Sequence, residues 1–248
     1  LSGDVRPGAG VTIRSVVFAI WLYGSLAAVA LLWLPTLLAP HRVTETAAHA
    51  WIRIVIFGLR WIVGVRIEVR GAEHRPKGPG IVAAKHQGML DIMEPFLALH
   101  RPSFVLKREL ARLPVFGWYC AKLGMIPVDR GGGSPAVKAL VAKATDRLAK
   151  GHQVLIFPEG TRKAPGAPPA YKSGVAALYR DLGLPVTPMA TNSGQCWPAK
   201  GLAKYPGLVV FEFLPPIPPG LQRAEFMRRL EEAIEAKSTA LLALNPPR

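Results

Sequence analysis

Polarity divides the chain near residue 65. From residue 15 to residue 40 no position is charged, and the run 16–34 (VVFAIWLYGSLAAVALLWL) extends about 28 Å as a helix at about 1.5 Å per residue. That length lies at the lower edge of what crosses a bilayer. A second apolar stretch, 51–65, sets Arg53 and Arg60 seven residues apart on one helical face, with Trp51, Ile54, Val55, Leu59 and Ile62 mostly elsewhere. Such a helix suits the membrane interface better than the bilayer centre. Pro35, Pro40, His41 and Arg42 break the chain between the two, so residues 1–64 are expected to form an antiparallel two-helix membrane module. The competing reading is a buried core hairpin, which the charge-free run argues against. A cleaved signal peptide fits less well still, because its apolar segment is ordinarily about 7–15 residues.

After residue 65 short apolar runs alternate with helical patterns, the signature of an α/β domain on a central sheet. The expected strands are 65–70, 80–85, 103–107, 125–129, 153–157, 185–189 and 208–214, with helices in the gaps. The plainest helix is 134–150, with Ser134 as its cap, Pro135 at its first position and Gly151 as its stop. An amphipathic helix over 222–244 reads as an outer docked element. Residues 75–80 (RPKGPG) and 164–170 (APGAPPA) read as loops.

Charge narrows the partner. A formal +15 over 248 residues calls for something anionic: a phospholipid surface, a phosphorylated substrate, a coenzyme or a nucleic acid. Nucleic acid is disfavoured, because the basic residues are scattered and no zinc-finger or RNA-recognition spacing occurs. Cys120 and Cys196 are the only cysteines, too few for a disulfide framework, and a reducing compartment is the simpler assumption.

The candidate chemistry begins at His86 and Asp91. Two residues five apart on a straight helix point about 140° away from each other. With His86 on a strand-to-helix turn and Asp91 in the first helical turn, the carboxylate reaches Nδ1 and leaves Nε2 for a substrate. A histidine held in that tautomer is a general base for an alcohol. Alone the pair is weak and reads equally as a structural histidine, so a second motif has to agree.

Phe157-Pro158-Glu159-Gly160-Thr161-Arg162, after the strand-like QVLIF, provides that agreement, since loops at the carboxyl ends of α/β strands gather ligands. Together with His86-Gln87-Gly88-Met89-Leu90-Asp91 it resembles the glycerolipid acyltransferase family with its His-x4-Asp motif, most of all the bacterial 1-acylglycerol-3-phosphate acyltransferases. Lys107-Arg108-Glu109-Leu110 with Pro114 and Gly117-Trp118, Gly124 through Arg130 (GMIPVDR), and Val186-Thr187-Pro188-Met189 with Asn192-Ser193 resemble further blocks of that family, over roughly residues 65–215. The resemblance implies a catalytic domain over 65–248 with a central mixed sheet flanked by helices. It implies transfer of a fatty acyl group from an acyl thioester to the sn-2 hydroxyl of lysophosphatidate, with His86 and Asp91 catalytic and Glu159, Gly160, Thr161 and Arg162 on the acceptor's glycerol phosphate. Arg130 and Lys107 are further candidates for that phosphate. No metal and no cofactor is implied; the co-substrate is acyl-coenzyme A or acyl carrier protein, the partners are the lysophospholipid and an anionic membrane surface, and the place is a bacterial inner membrane with the basic domain on the cytoplasmic side.

The arginine roles agree with guanidinium geometry, which grips phosphate with two charge-assisted bonds. Glu159 cannot bind phosphate and is expected to orient Arg162 or to accept a glycerol hydroxyl. Backbone N–H groups near Gly88 are expected to serve the oxyanion. One departure stands out: the family usually has Asn-His-x-Ser, and here the residues are Lys85-His86-Gln87-Gly88. Gly88 is then expected as the helix cap, and Lys85, if it approaches His86, would lower the imidazole pKa. Two rivals remain. Gly131, Gly133 and Ala136 fit a dinucleotide-binding G-x-G-x-x-A, without the acidic residue such a fold needs at the end of the next strand. A non-catalytic membrane lipid-binding protein would share the helices and the charge but has no need of His86 with Asp91. Another lysolipid acceptor is the alternative within the family.

Overall fold

An apolar helix, α1 (Ala9–Leu32), leads through a 3-10 turn at Leu34–Leu37 into a second helix, α2 (His41–Gly58), in a computed structural model that describes residues 7–246. Residues 1–6 and 247–248, the extreme ends of the two expected domains, lie outside the described residues. The second helix begins ten residues before the expected 51. Its first turns are polar and carry no apolar period; there His41 Nδ1 lies 3.6 Å from Glu45 Oε2, and Thr44 Oγ1 donates to the Thr36 carbonyl at 2.8 Å. After a π-turn at Leu59–Val63 the helix stops at Gly64, whose φ of 88° a side chain would resist. Trp21 Nε1 donates to the Ile54 carbonyl at 2.9 Å, and a Cβ on Gly58 would lie 2.3 Å from the same indole, so the two helices touch at Gly58 because it has no side chain. Both are long and apolar enough to cross a membrane.

Seven strands form the sheet: β1 (Val65–Arg70), β2 (Gly80–Ala84), β3 (Pro102–Lys107), β4 (Ile126–Val128), β5 (Gln153–Ile156), β6 (Val186–Thr191) and β7 (Gly207–Phe213). Their order is β1-β7-β6-β2-β5-β3-β4. The five from β6 to β4 run parallel, β7 lies antiparallel to β6, and β1 runs parallel to β7, so the sheet is mixed. The buried strands are almost wholly apolar, as parallel strands covered on both faces must be. The helices between them are α3 (Leu90–Ala98), α4 (Phe116–Lys122), α5 (Gly133–Ala149), α6 (Gly174–Leu182), α7 (Ser193–Cys196) and α8 (Arg223–Leu241). At α5 the cap is Gly132, not Ser134, and no side chain caps the helix; Ser134 and Pro135 sit inside its first turn.

Two cores cover the two faces. On one, Val82, Ala84, Leu155 and Phe104 pack with α3 and with Phe18, Ile52, Val55 and Leu59 of the N-terminal helices. On the other, Ile81, Ala83, Val154 and Ile156 pack under α5, α6 and Phe226, Leu230 and Ile234 of α8. The first helix packs on α2 and touches the α/β domain through two buried residues. Its Phe18 ring meets Trp197 edge-on at 5.2 Å, and Ser15 Oγ accepts a hydrogen bond from the Lys204 backbone at 2.8 Å.

Candidate active site

Because β2, β3, β4, β5 and β6 are parallel, their carboxyl ends share one edge, and each delivers a sequence-expected block there. His86 follows β2, Lys107 ends β3, Arg130 follows β4, Phe157–Arg162 follow β5, and Asn192-Ser193 follow β6. Loops at this edge are where open α/β sheets hold their ligands.

His86 Nδ1 lies 3.1 Å from Asp91 Oδ2. An ionised carboxylate only accepts, so a neutral imidazole in this pair carries its proton on Nδ1 and its lone pair on Nε2. Asp91 is fully buried in the first turn of α3 and its oxygens are heavily engaged. Oδ2 also accepts from the backbone amides of Gln87 and Gly88, the latter at 2.7 Å, while Oδ1 accepts a short hydrogen bond from Ser193 Oγ. The imidazole stacks on Phe157 with ring centres 3.9 Å apart, and the His86 carbonyl accepts from the Lys163 backbone at 2.8 Å. Strand β5 and its loop therefore hold the base from a second side.

Four expectations change. The Gln87 and Gly88 amides are committed to Asp91 and do not face an oxyanion. Gly88 is not the cap of α3, which is Met89; a Cβ at Gly88 would sit 2.5 Å from the Trp197 carbonyl, so glycine is there for close approach. Lys85 points to the opposite face of β2 from His86, as strand alternation requires. Its Nζ lies 3.1 Å from Glu159 Oε1 and 2.8 Å from both oxygens of Glu235 on α8. Glu159 for its part does not meet Arg162: it is buried, paired with Lys85, and burial raises its carboxyl above the usual range while the Lys85 charge opposes that rise. Tyr171 Oη donates to Glu235 Oε1 at 2.9 Å and completes the cluster.

The remaining candidates divide. Arg162 is exposed and reaches back over the dyad's helix, its Nη2 3.7 Å from Met89 Sδ. Arg130, Glu159, Gly160 and Thr161 line a groove of about 810 Å³ between α5 and α6, floored by Leu140 and Ile156, which His86 and Asp91 do not line. Phe157 touches both regions. Gly160 takes φ 64° in the turn that separates Glu159 from Thr161. Lys107 is exposed and paired with Glu109 at 3.3 Å. Arg130 and Arg162 form no ion pair among the described residues, which leaves both guanidinium groups available to an anion. Ser193 and Glu235 had no assigned role in the sequence. Ser193 stood in the sequence only as part of the block Val186–Met189 with Asn192-Ser193, without a role of its own, and Glu235 as one charge among many on an outer helix.

Residues 66–192 match the family model described as Acyltransferase, which covers the dyad, the Phe157–Arg162 loop and the block up to Asn192. Among curated proteins, the 1-acyl-sn-glycerol-3-phosphate acyltransferase of Pseudomonas aeruginosa is 40% identical over 205 residues, 79% of this chain and 77% of that one. The human 1-acyl-sn-glycerol-3-phosphate acyltransferase alpha is 31% identical over 170 residues, 67% of this chain and 60% of its own length. The crystal structure of the 1-acyl-sn-glycerophosphate (LPA) acyltransferase PlsC from Thermotoga maritima superposes with a TM-score of 0.78 at 20% identity, covering 96% of this chain and all of that one, so the fold is shared. With the family model spanning half of its length and a relative at this identity over most of it, the chain belongs to the acyltransferase family.

Proposed function

We propose that the chain transfers a fatty acyl group from an acyl thioester to the sn-2 hydroxyl of lysophosphatidate, giving phosphatidate. The observation that carries this reading is the His86–Asp91 pair, at 3.1 Å with its carboxylate buried, beside the unpaired Arg162. The names of the relatives from Pseudomonas aeruginosa and human support the choice of acceptor.

A thioester is already activated, so no covalent enzyme intermediate is needed. His86 Nε2 takes the proton of the acceptor hydroxyl as its oxygen attacks the thioester carbonyl. Collapse of the tetrahedral intermediate breaks the carbon–sulfur bond, and the imidazolium returns the proton to the leaving thiolate. Asp91 holds the ring and stabilises its charged form, and its own position is set by the two amides and Ser193. Arg162 and Arg130 bind the acceptor phosphate, with Gly160 and Thr161 shaping the turn around it and Lys107 adding charge at the rim. Glu159 lines the same groove, where Lys85 holds its carboxylate beside the acceptor's glycerol. The donor is acyl-coenzyme A or acyl carrier protein, either of which suits the basic surface. No further cofactor is required by this chemistry.

In this reading residues 1–64 attach the protein to a bacterial inner membrane and residues 65–248 carry the chemistry on the cytoplasmic side, as the basic charge favours. The test is thiol release from a long-chain acyl thioester with and without lysophosphatidate. Release should depend on the acceptor, and His86→Ala should lower it by at least about 10²- to 10⁴-fold in a protein that still folds. Near-normal turnover by that variant would remove the mechanism.

A further inference from the structure

Outside the first 64 residues, six large apolar side chains are exposed among the described residues, and four of them, Leu110, Leu113, Phe116 and Trp118, fall within nine positions. Soluble surfaces seldom gather apolar side chains in this way without a partner. We propose that residues 110–118 form a second membrane-contacting element, which lies on the same leaflet as the N-terminal helices and whose partner is an anionic lipid bilayer. The proposal rests on the reading that the N-terminal helices are membrane-bound.

Continuity argues for lipid. The helix α4 packs against α2 and against the 3-10 turn at Leu34–Leu37. Its Cys120, with Leu123 just after it, is buried in the same cluster as Phe18, Ile52 and Val55. The turn between α1 and α2 is itself apolar and open, with Leu38 94% exposed and Leu34 38%. The exposed side chains of 110–118 therefore belong to an element built onto the helices, not to a detached part of the catalytic domain.

Charge is consistent with an anionic surface. Residues 107–122 carry Lys107, Arg108, Arg112 and Lys122 against Glu109, so apolar side chains alternate with a cationic surplus, the composition of segments that lie in the lipid interface. The backbone works against burial of this segment. Val115, a branched residue at φ 63°, makes a tight reversal in which the Phe116 amide donates to the Pro114 carbonyl at 2.6 Å, and Leu113 and Phe116 remain exposed on either side. Gly117 allows this, since a Cβ there would lie 2.2 Å from the Ala111 carbonyl.

The location serves the reaction. The Arg108 amide donates to the Val128 carbonyl at 3.0 Å, and the Arg108 side chain pairs with Asp129 at 3.3 Å, next to Arg130. A segment resting in the leaflet at this point lets a lysophospholipid pass from the membrane to the phosphate-binding arginines without leaving lipid.

The native cysteines are buried, so a cysteine placed on the surface can be labelled selectively. The full chain would be reconstituted into vesicles of phosphatidylcholine and phosphatidylglycerol, carrying an environment-sensitive fluorophore on Leu113→Cys, on Leu38→Cys as the reference, or on Arg228→Cys across the sheet as the control. Lipids brominated in the acyl chain should quench the label at 113 about as strongly as at 38, with a blue shift at both, and should leave 228 unchanged. A silent 113 with a responsive 38 overturns the proposal and leaves the N-terminal anchor intact. Silence at both overturns the proposal and the anchor together. A shift at 113 produced by an acidic carrier protein, with no quenching by brominated lipid, would make the segment a protein dock and overturn the proposal.

Discussion

Lys85 Nζ stands 3.1 Å from Glu159 Oε1 with both side chains all but removed from solvent, and Glu235 approaches the same ammonium at 2.8 Å. One cation thus serves two carboxylates from β5's loop and from α8, one residue before His86. Burying charges is repaid only when they are well partnered, and breaking such a set leaves an uncompensated charge. Lys85→Met should therefore lose about 3–5 kcal/mol of stability. Lys85→Met with Glu159→Gln should recover part of that loss, because the second change removes the stranded charge. Thermal unfolding in detergent measures both together with Glu159→Gln alone, and a double-variant loss equal to the sum of the two single losses would show that the pair is not coupled.

Ser193 holds the other end of the machinery. Its hydroxyl donates to Asp91 Oδ1 from the start of α7, on the far side of the carboxylate from His86. Without it Asp91 keeps its two amides but has an oxygen left short of a donor. Ser193→Ala should lower kcat tenfold or more, the scale of one hydrogen bond to a charged group of about 1.5–3 kcal/mol, with little change in KM. Asp91→Asn should cost more, since it changes the partner of the imidazole itself. If the alanine variant instead raised KM at constant kcat, Ser193 would belong to substrate binding and not to positioning.

Much of the architecture could be read in advance because buried parallel strands announce themselves. All seven strands lie within about two residues of the apolar runs that suggested them, since GIVAA and QVLI have no solvent face to interrupt them. The early start of α2 was hidden for the opposite reason, its first turns being polar and fixed by local bonds. The approach of His86 to Asp91 follows from local geometry, five residues across a single turn. The fate of Lys85 does not, because its partners lie 74 and 150 residues away, and strand alternation indicates which face it takes but not what waits there. Gly88 was misjudged for a similar reason: the Trp197 carbonyl that excludes a side chain comes from more than a hundred residues downstream.

His152 gives the fold a pH dependence that does not involve the dyad. Burial first, and then the charges of Arg101, His41 and Arg147, push its pKa down to about 4 from an ordinary 6.5. Between those values the unfolded chain binds more protons than the folded one, so stability increases with pH across this window and is lost as pH falls from 6.5 towards 4. The size is at most about 3 kcal/mol, from about 1.36 kcal/mol per unit. His152→Gln should flatten the difference in unfolding midpoint between pH 7 and pH 5. A variant with the wild-type slope would assign that dependence to other groups.

A substitution at Arg162 would separate a lysophosphatidate enzyme from its relatives. Its guanidinium lies over Met89 with no carboxylate partner among the described residues, so the charge is free for a ligand, and the phosphate monoester is the part of lysophosphatidate that other lysolipids lack or have esterified. Lysine in its place keeps the charge but loses the planar two-donor fork, so a contact that depends on geometry weakens while one that depends on charge survives. Arg162→Lys should cost about 1.5–3 kcal/mol in the specificity constant for lysophosphatidate, a fall of tenfold or more. The loss should be much smaller for an acceptor whose phosphate is esterified, and the dependence on donor concentration should hardly move. Arg130→Lys, at the groove some way from the dyad, tests whether the phosphate is shared between the two arginines: if it is, the same selectivity appears in both variants. An equal loss on every acceptor in Arg162→Lys, or a loss felt only through the donor, would place this arginine outside the acceptor site and remove the ground for choosing lysophosphatidate.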